Sequence, residues 1–121
     1  MTEHAPSRLW FRFLLPDGAF GPGKAELLAH IAETGSISAA GRKMEMSYRR
    51  AWSLVAEVNA QFGEPLVSAE RGGQSGGGAK LTPRGAEVLE TWRGAERALS
   101  AAAEPWLARL APPTDGAPAV D

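Results

Sequence analysis

Two short stretches of helical pattern stand only three residues apart, and that spacing constrains the fold more than anything else in the chain. In "SISAAGRKM" (36–44), Ile37, Ala40 and Met44 recur at i, i+3 and i+7, one buried stripe on a short helix. After the break "EMS" (45–47), "YRRAWSLVAEVNAQFG" (48–63) carries Ala51, Val55, Val58 and Phe62 at i, i+4, i+7 and i+11, and Gly63 ends it. Each helix starts behind a serine, Ser36 and Ser47, whose side-chain oxygen can accept from an unpaired first-turn amide. Small alanines on the first helix let the second pack close across it, which is a helix-turn-helix arrangement.

With Ala51, Val55 and Val58 turned inward, the second helix presents Ser47, Tyr48, Arg49, Arg50 and Ser53 outward at its amino end. In such pairs these positions meet base edges in the major groove. Arginine can grip guanine O6 and N7 bidentately, and serine and tyrosine hydroxyls can bond bases or phosphates. The amino end of a helix also attracts phosphate through its unpaired amides. Two adjacent cations there oppose the helix dipole, at a cost of a few tenths of a kcal/mol; a bound anion would offset it. Ser36, Ser38, Arg42 and Lys43 of the first helix join the expected DNA-facing set, whereas Trp52 is expected to pack under the first helix.

The net charge of −1 argues against a nucleic-acid partner only until its distribution is read. Residues 36–85 hold seven basic side chains against four acidic ones, and residues 86–121 hold three against six. A phosphate backbone senses the nearest face, not the average.

Between "PLVSAE" (65–70) and "AKL" (79–81), both strand-like, lies "RGGQSGGG". Five glycines fall within residues 72–78. Gly78 is followed by Ala79 and Lys80, so the phosphate-loop pattern ending Gly-Lys-Ser/Thr fails. A β-hairpin with a small-residue tip remains, a wing whose Arg71, Gln74, Ser75 and Lys80 suit phosphate or the minor groove.

The flanks complete the domain. "RLWFRFLL" (8–15) alternates, with Leu9, Phe11 and Phe13 facing one way, and reads as a strand before the turn "PDG"; Ala19 and Phe20 suit a return strand. "KAELLAHIAETG" (24–35) reads as a helix buried through Leu27, Leu28, Ile31 and Ala32, with His30 on its surface. Thr82 caps a long helix with Pro83 at its first position. That helix is expected over 83–103, broken at Pro105, with Val88, Trp92, Ala95, Leu99, Ala102 and then Trp106 forming a dimer seam. The expected fold class is α+β, mainly helical: a winged helix-turn-helix with an N-terminal hairpin and a long C-terminal dimerisation helix. One domain over residues 1–110 is expected, with residues 1–7 and the tail 111–121 disordered.

The chain lacks cysteine, and His4 and His30 are its two histidines, so no metal site or cofactor is expected. The start lacks a secretory pattern and no apolar run approaches the ~20 residues of a membrane span, so the expected location is the cytoplasm, with no membrane partner. Without a phosphate loop or a convergent carboxylate pair, an enzyme is not expected.

In the order "GPGKAELLAHIAETGSISAA", "MSYRRAWSLVAEVN", "GGGAKLTPRG", the chain resembles the N-terminal DNA-binding domain of ModE-type molybdate-responsive regulators and, more distantly, the winged helix-turn-helix of LysR-type regulators. The resemblance covers about residues 20–100. It implies that Ser47, Tyr48, Arg49, Arg50 and Ser53 lie in the major groove, that Gly72 to Gly78 form the wing, and that the flanking helices make a two-fold dimer. In that family a C-terminal pair of small β-barrels binds molybdate or tungstate; nothing before Asp121 corresponds to them, so neither oxyanion is expected as a ligand. The expected function is a homodimeric transcriptional regulator reading an inverted repeat in double-stranded DNA. The alternative is a winged-helix module that docks proteins and does not read DNA.

Overall fold

The computed structural model describes residues 6–70 and 78–110. Its elements run β1 (Phe13–Leu15), β2 (Gly18–Phe20), α1 (Pro22–Thr34), α2 (Ile37–Lys43), α3 (Tyr48–Gln61), β3 (Val67–Glu70), β4 (Gly78–Leu81) and α4 (Pro83–Leu110). They are divided between two compact units: residues 11–93, and a second unit of residues 6–10 with 94–110.

In the larger unit β1 and β2 form an antiparallel hairpin with Phe13 opposite Phe20. The strand expected from residue 8 is therefore shorter, because its partner has three residues before Gly21 and Pro22 open α1. The alternation was informative even so. Phe11 stacks on Trp92 at 4.7 Å and Phe13 meets the same ring edge-on at 5.8 Å. Pro22 sits in the first turn of α1, where a missing N–H costs nothing. The helix ends at Gly35, whose φ of 73° suits an N–H turned back to Ile31 O at 2.8 Å.

The core is built from Leu27, Leu28, Ile31, Val58 and Leu66, all fully buried, with Phe20, Leu54, Val55, Leu89 and Trp92 around them. Each of these large side chains stabilises the fold by about 1.5–3 kcal/mol relative to exposure. Ala32, expected on the inner face of α1, is exposed, while Leu54 of α3 joins the core instead.

One buried polar side chain, Gln61, donates to Ala19 O at 2.9 Å and accepts from Lys24 Nζ at 3.1 Å. It thereby ties the first hairpin to the end of α3, and both its amide groups are satisfied, as burial requires. Asn59 does similar work for the second hairpin: its Oδ1 accepts from Leu66 N at 2.8 Å and Val67 N at 3.1 Å.

β3 and β4 pair antiparallel, with Glu70 opposite Gly78 and Val67 opposite Leu81. Ala79 N donates to Gly35 O at 2.9 Å, so the hairpin is joined to the end of α1. Thr82 N donates to Leu66 O, and Thr82 Oγ1 donates to Pro65 O and accepts from Gly85 N at 3.0 Å. The expected cap of α4 is thus present, and it also anchors the base of the hairpin. Gly85 is needed here, because a Cβ at this position would collide with the Leu66 carbonyl oxygen. Three helices followed by a hairpin packed on the first of them make a winged helix-turn-helix.

α4 does not break at Pro105 but continues to Leu110. Proline removes one backbone hydrogen bond and crowds the carbonyl four residues earlier. That carbonyl belongs to Ala101, an exposed residue, so water can satisfy it. Among the described residues no helix is long and apolar enough to cross a membrane.

Candidate nucleic-acid interface

The geometry of the site is set by how closely α2 and α3 approach. A Cβ on Gly41 would lie 2.9 Å from the Ala51 Cβ, so a glycine facing a fully buried alanine allows the crossing. The turn between them closes without glycine. Met46 N donates to Gly41 O and Glu45 N to Arg42 O, both at 3.0 Å, a Schellman pattern that puts Glu45 in the left-handed region at φ 57°. A non-glycine residue there costs about 1–2 kcal/mol.

Both serines cap as the sequence suggests. Ser36 Oγ accepts from Ala39 N and Ser47 Oγ from Arg50 N, each at 3.0 Å. Ser47 is exposed, whereas Ser36 and Ser38 are half-buried. Tyr48, Arg49, Arg50 and Ser53 are all exposed along the outer side of α3, and Arg42 and Lys43 are exposed at the end of α2. No acidic residue occupies the first turn of α3.

Trp52 is not packed under α2. It is 39% exposed and rests edge-on against Tyr48, ring centroids 6.0 Å apart. Physically, the Gly41–Ala51 contact is too close to admit an indole, and Trp52 lies about 100° around the helix from Ala51. An aromatic pair thus belongs to the outer face, and the wheel position of Trp52 was the signal that could have revealed it.

Sequence reasoning also passed over the carboxylates beside the cations. Lys43 Nζ lies 3.0 Å from Glu33 Oε1, Lys80 Nζ 3.1 Å from Glu70 Oε2, and Arg50 Nη1 3.9 Å from Glu57 Oε2. Glu57 also holds Lys24 at 3.4 Å. Hydrogen bonds from Lys43 and then His30 keep the Glu33 carboxyl below the ordinary glutamate range. Arg50 and Glu57 are two helical turns apart on one face, which was readable; the Glu33–Lys43 pair depends on how α1 meets α2.

Of the wing residues, Lys80 and Gly78 are described, while Arg71, Gln74, Ser75 and the rest of Gly72 to Gly78 lie outside the described residues. The six positions of the expected seam separate. Val88 and Trp92 are 7% and 5% exposed and pack in the core of the larger unit, where Trp92 meets Phe11, Phe13 and Phe20. They have no face left for a partner. Ala95 is half-buried, and Leu99, Ala102 and Trp106 are exposed in the smaller unit, with Arg109 over the Trp106 ring at 5.6 Å. No cluster of three His, Asp or Glu side chains among the described residues could hold a metal ion.

Known proteins match this arrangement. Residues 23–86, over half of the 121, match the family of bacterial regulatory helix-turn-helix proteins of lysR type. The molybdenum-pterin-binding protein MopB of Rhodobacter capsulatus is 44% identical over 72 residues, covering 60% of this chain and 27% of that protein. The DNA-binding transcriptional dual regulator ModE of Escherichia coli is 38% identical over 71 residues, covering 59% and 27%. The chain thus spans about a quarter of the length of these two relatives. Among solved structures, the CbnR DBD–DNA complex superposes with a TM-score of 0.57 at 22% identity, covering 73% of this chain and 95% of that one. ArgP from Mycobacterium tuberculosis gives 0.54 at 20% identity, covering 70% and 30%. Both likenesses are of fold.

Proposed function

We infer the function from one premise: the chain belongs to the bacterial regulatory helix-turn-helix proteins of the lysR family. It acts as a transcriptional regulator that binds double-stranded DNA, with α3 in the major groove. The observation that carries this reading is the outer face of α3, where Tyr48, Arg49, Trp52 and Ser53 are exposed beside a helix start with no acidic residue of its own. Arg49 and Arg50 supply guanine or phosphate contacts, and the Tyr48–Trp52 pair supplies an apolar edge suited to a thymine methyl. Ser47 keeps its hydroxyl proton for donation while its oxygen caps the helix. Ser36, Ser38, Arg42 and Lys43 approach the backbone from α2, and Arg71, Gln74, Ser75 and Lys80 do so from the wing.

The protein works as a homodimer on an inverted repeat. The support is the exposed stripe of Leu99, Ala102 and Trp106, spaced three and four residues apart as in a helix seam and continued four residues on by Leu110 at 80% exposure. Two-fold symmetry then sets the half-sites about one DNA turn, ~34 Å, apart. The names of the ModE relative and of the CbnR complex are consistent with DNA as the partner.

Fluorescence anisotropy against duplex pools, repeated over a salt series and beside Arg49→Ala/Arg50→Ala, tests the reading. Salt-steep binding that selects a palindrome and is lost in the variant is expected. Salt-flat binding indifferent to the arginines would favour the protein-docking alternative. Light scattering of Leu99→Glu/Trp106→Glu should give a monomer where the native chain gives a dimer.

A further inference from the structure

Of the five described cations proposed to meet DNA, three already have a carboxylate of the same chain beside them. Glu33 lies 3.0 Å from Lys43 and Glu70 3.1 Å from Lys80, and Glu57 stands more loosely, 3.9 Å from Arg50, whereas Arg42 and Arg49 have no such partner among the described residues. The three carboxylates come from α1, α3 and β3, so no single local motif explains them. The cations remain 49%, 56% and 68% exposed in the same order. Pairs this open to water add little to folding, because solvent screens them and ordering long side chains costs entropy. Their larger effect is on an incoming phosphate, which must displace a fixed anion to reach the cation.

We propose that Glu33, Glu57 and Glu70 are specificity-determining residues, built-in competitors that mask Lys43, Arg50 and Lys80 from non-specific DNA. This rests on the DNA-reading function proposed above. A masked cation brings no net neutralisation to a phosphate, and the carboxylate it leaves then faces the DNA charge. Random duplex is therefore held mainly through Arg42, Arg49 and other unmasked donors. At the operator, base contacts along α3 hold the backbone in register long enough for the masked cations to exchange one anion for another. Specificity thus rises by weakening the wrong complexes rather than by strengthening the right one.

Counterion release makes this measurable. Each phosphate neutralised contributes about −0.9 to the slope of log K against log salt. The full chain carrying Glu33→Gln/Glu57→Gln/Glu70→Gln should bind a scrambled duplex with a slope steeper by about 2–3 units, and about tenfold more tightly at low salt. Its preference for the selected palindrome should fall by a similar factor. The control is Glu26→Gln/Glu64→Gln/Glu90→Gln, an identical change in charge at exposed carboxylates that hold none of these cations. Glu70→Gln alone, on the exposed hairpin, should move the slope the same way by about one unit, so a folding defect in the triple variant cannot hide the outcome. Equal slopes and affinities for the triple variant and its control would overturn the masking proposal while leaving DNA reading intact. Absent or salt-flat binding in every form, native included, would overturn DNA reading and the proposal with it.

Discussion

Gly41→Ala tests whether the Gly41–Ala51 contact sets the close approach of α2 and α3. The new Cβ would stand 2.9 Å from the Ala51 Cβ. Comfortable carbon contacts lie near 3.5–4.0 Å, so the helices must separate by roughly 0.6–1 Å. Ala51 is fully buried and its methyl cannot swing aside, so the backbone has to move. Overpacking of this kind costs about 1–3 kcal/mol. Replacing a helical glycine by alanine returns about 1 kcal/mol of propensity. The variant should therefore be less stable by about 1 kcal/mol. Ala51→Gly alone should cost about 2 kcal/mol, half from propensity and half from the lost buried methyl. In the double variant the propensities cancel and a single methyl again fills the contact, so stability should return to within about 1 kcal/mol of the native chain, a coupling of about 2 kcal/mol. Urea unfolding followed by far-ultraviolet circular dichroism measures all three. A Gly41→Ala chain more stable than native by the full propensity gain, with additive effects in the double variant, would refute the reasoning.

Other consequences follow the same logic. Gly85→Ala drives a Cβ into the Leu66 carbonyl at the base of the wing, and should lower stability by about 3 kcal/mol in the same urea assay. Glu45→Gly relieves the left-handed φ of 57° in the turn, and should stabilise by about 0.5–1 kcal/mol, seen as a Tm higher by several degrees. Because Glu33 has a lowered folded value, its pairing helps folding above the ordinary glutamate pKa of 4.5 and loses that effect as pH falls through the lower folded value. An NMR titration should place the Glu33 midpoint below 4.5, and Lys43→Gln should move it back upward, since the Lys43 hydrogen bond is the leading cause.

Much of this protein is written in local pattern. The stripes of α2 and α3, the caps at Ser36, Ser47 and Thr82, and the glycine stop of α1 at Gly35 are short-range features, decided by periodicity and by where an unpaired amide finds an oxygen. The outward set of α3 follows from the same wheel, which is why Tyr48, Arg49, Arg50 and Ser53 were legible beforehand. What tertiary structure alone decided concerns groups whose neighbours are distant in the chain. Trp92 fits a seam by spacing, yet it fills the core because Phe13 and Phe20 of the first hairpin and Phe11 just before it converge on it. Trp52 faces outward because Gly41 brings α2 too near for an indole to fit. Pro105 stays in its helix because the carbonyl it deprives lies on an exposed residue. Lys43 and Lys80 read as unencumbered cations until α1 and β3 bring Glu33 and Glu70 beside them. Sequence by itself determined where the helices begin, their caps and the outer face of α3; packing decided which aromatic side chains were spent on the core and which cations meet a carboxylate first, because both depend on contacts that no local period encodes.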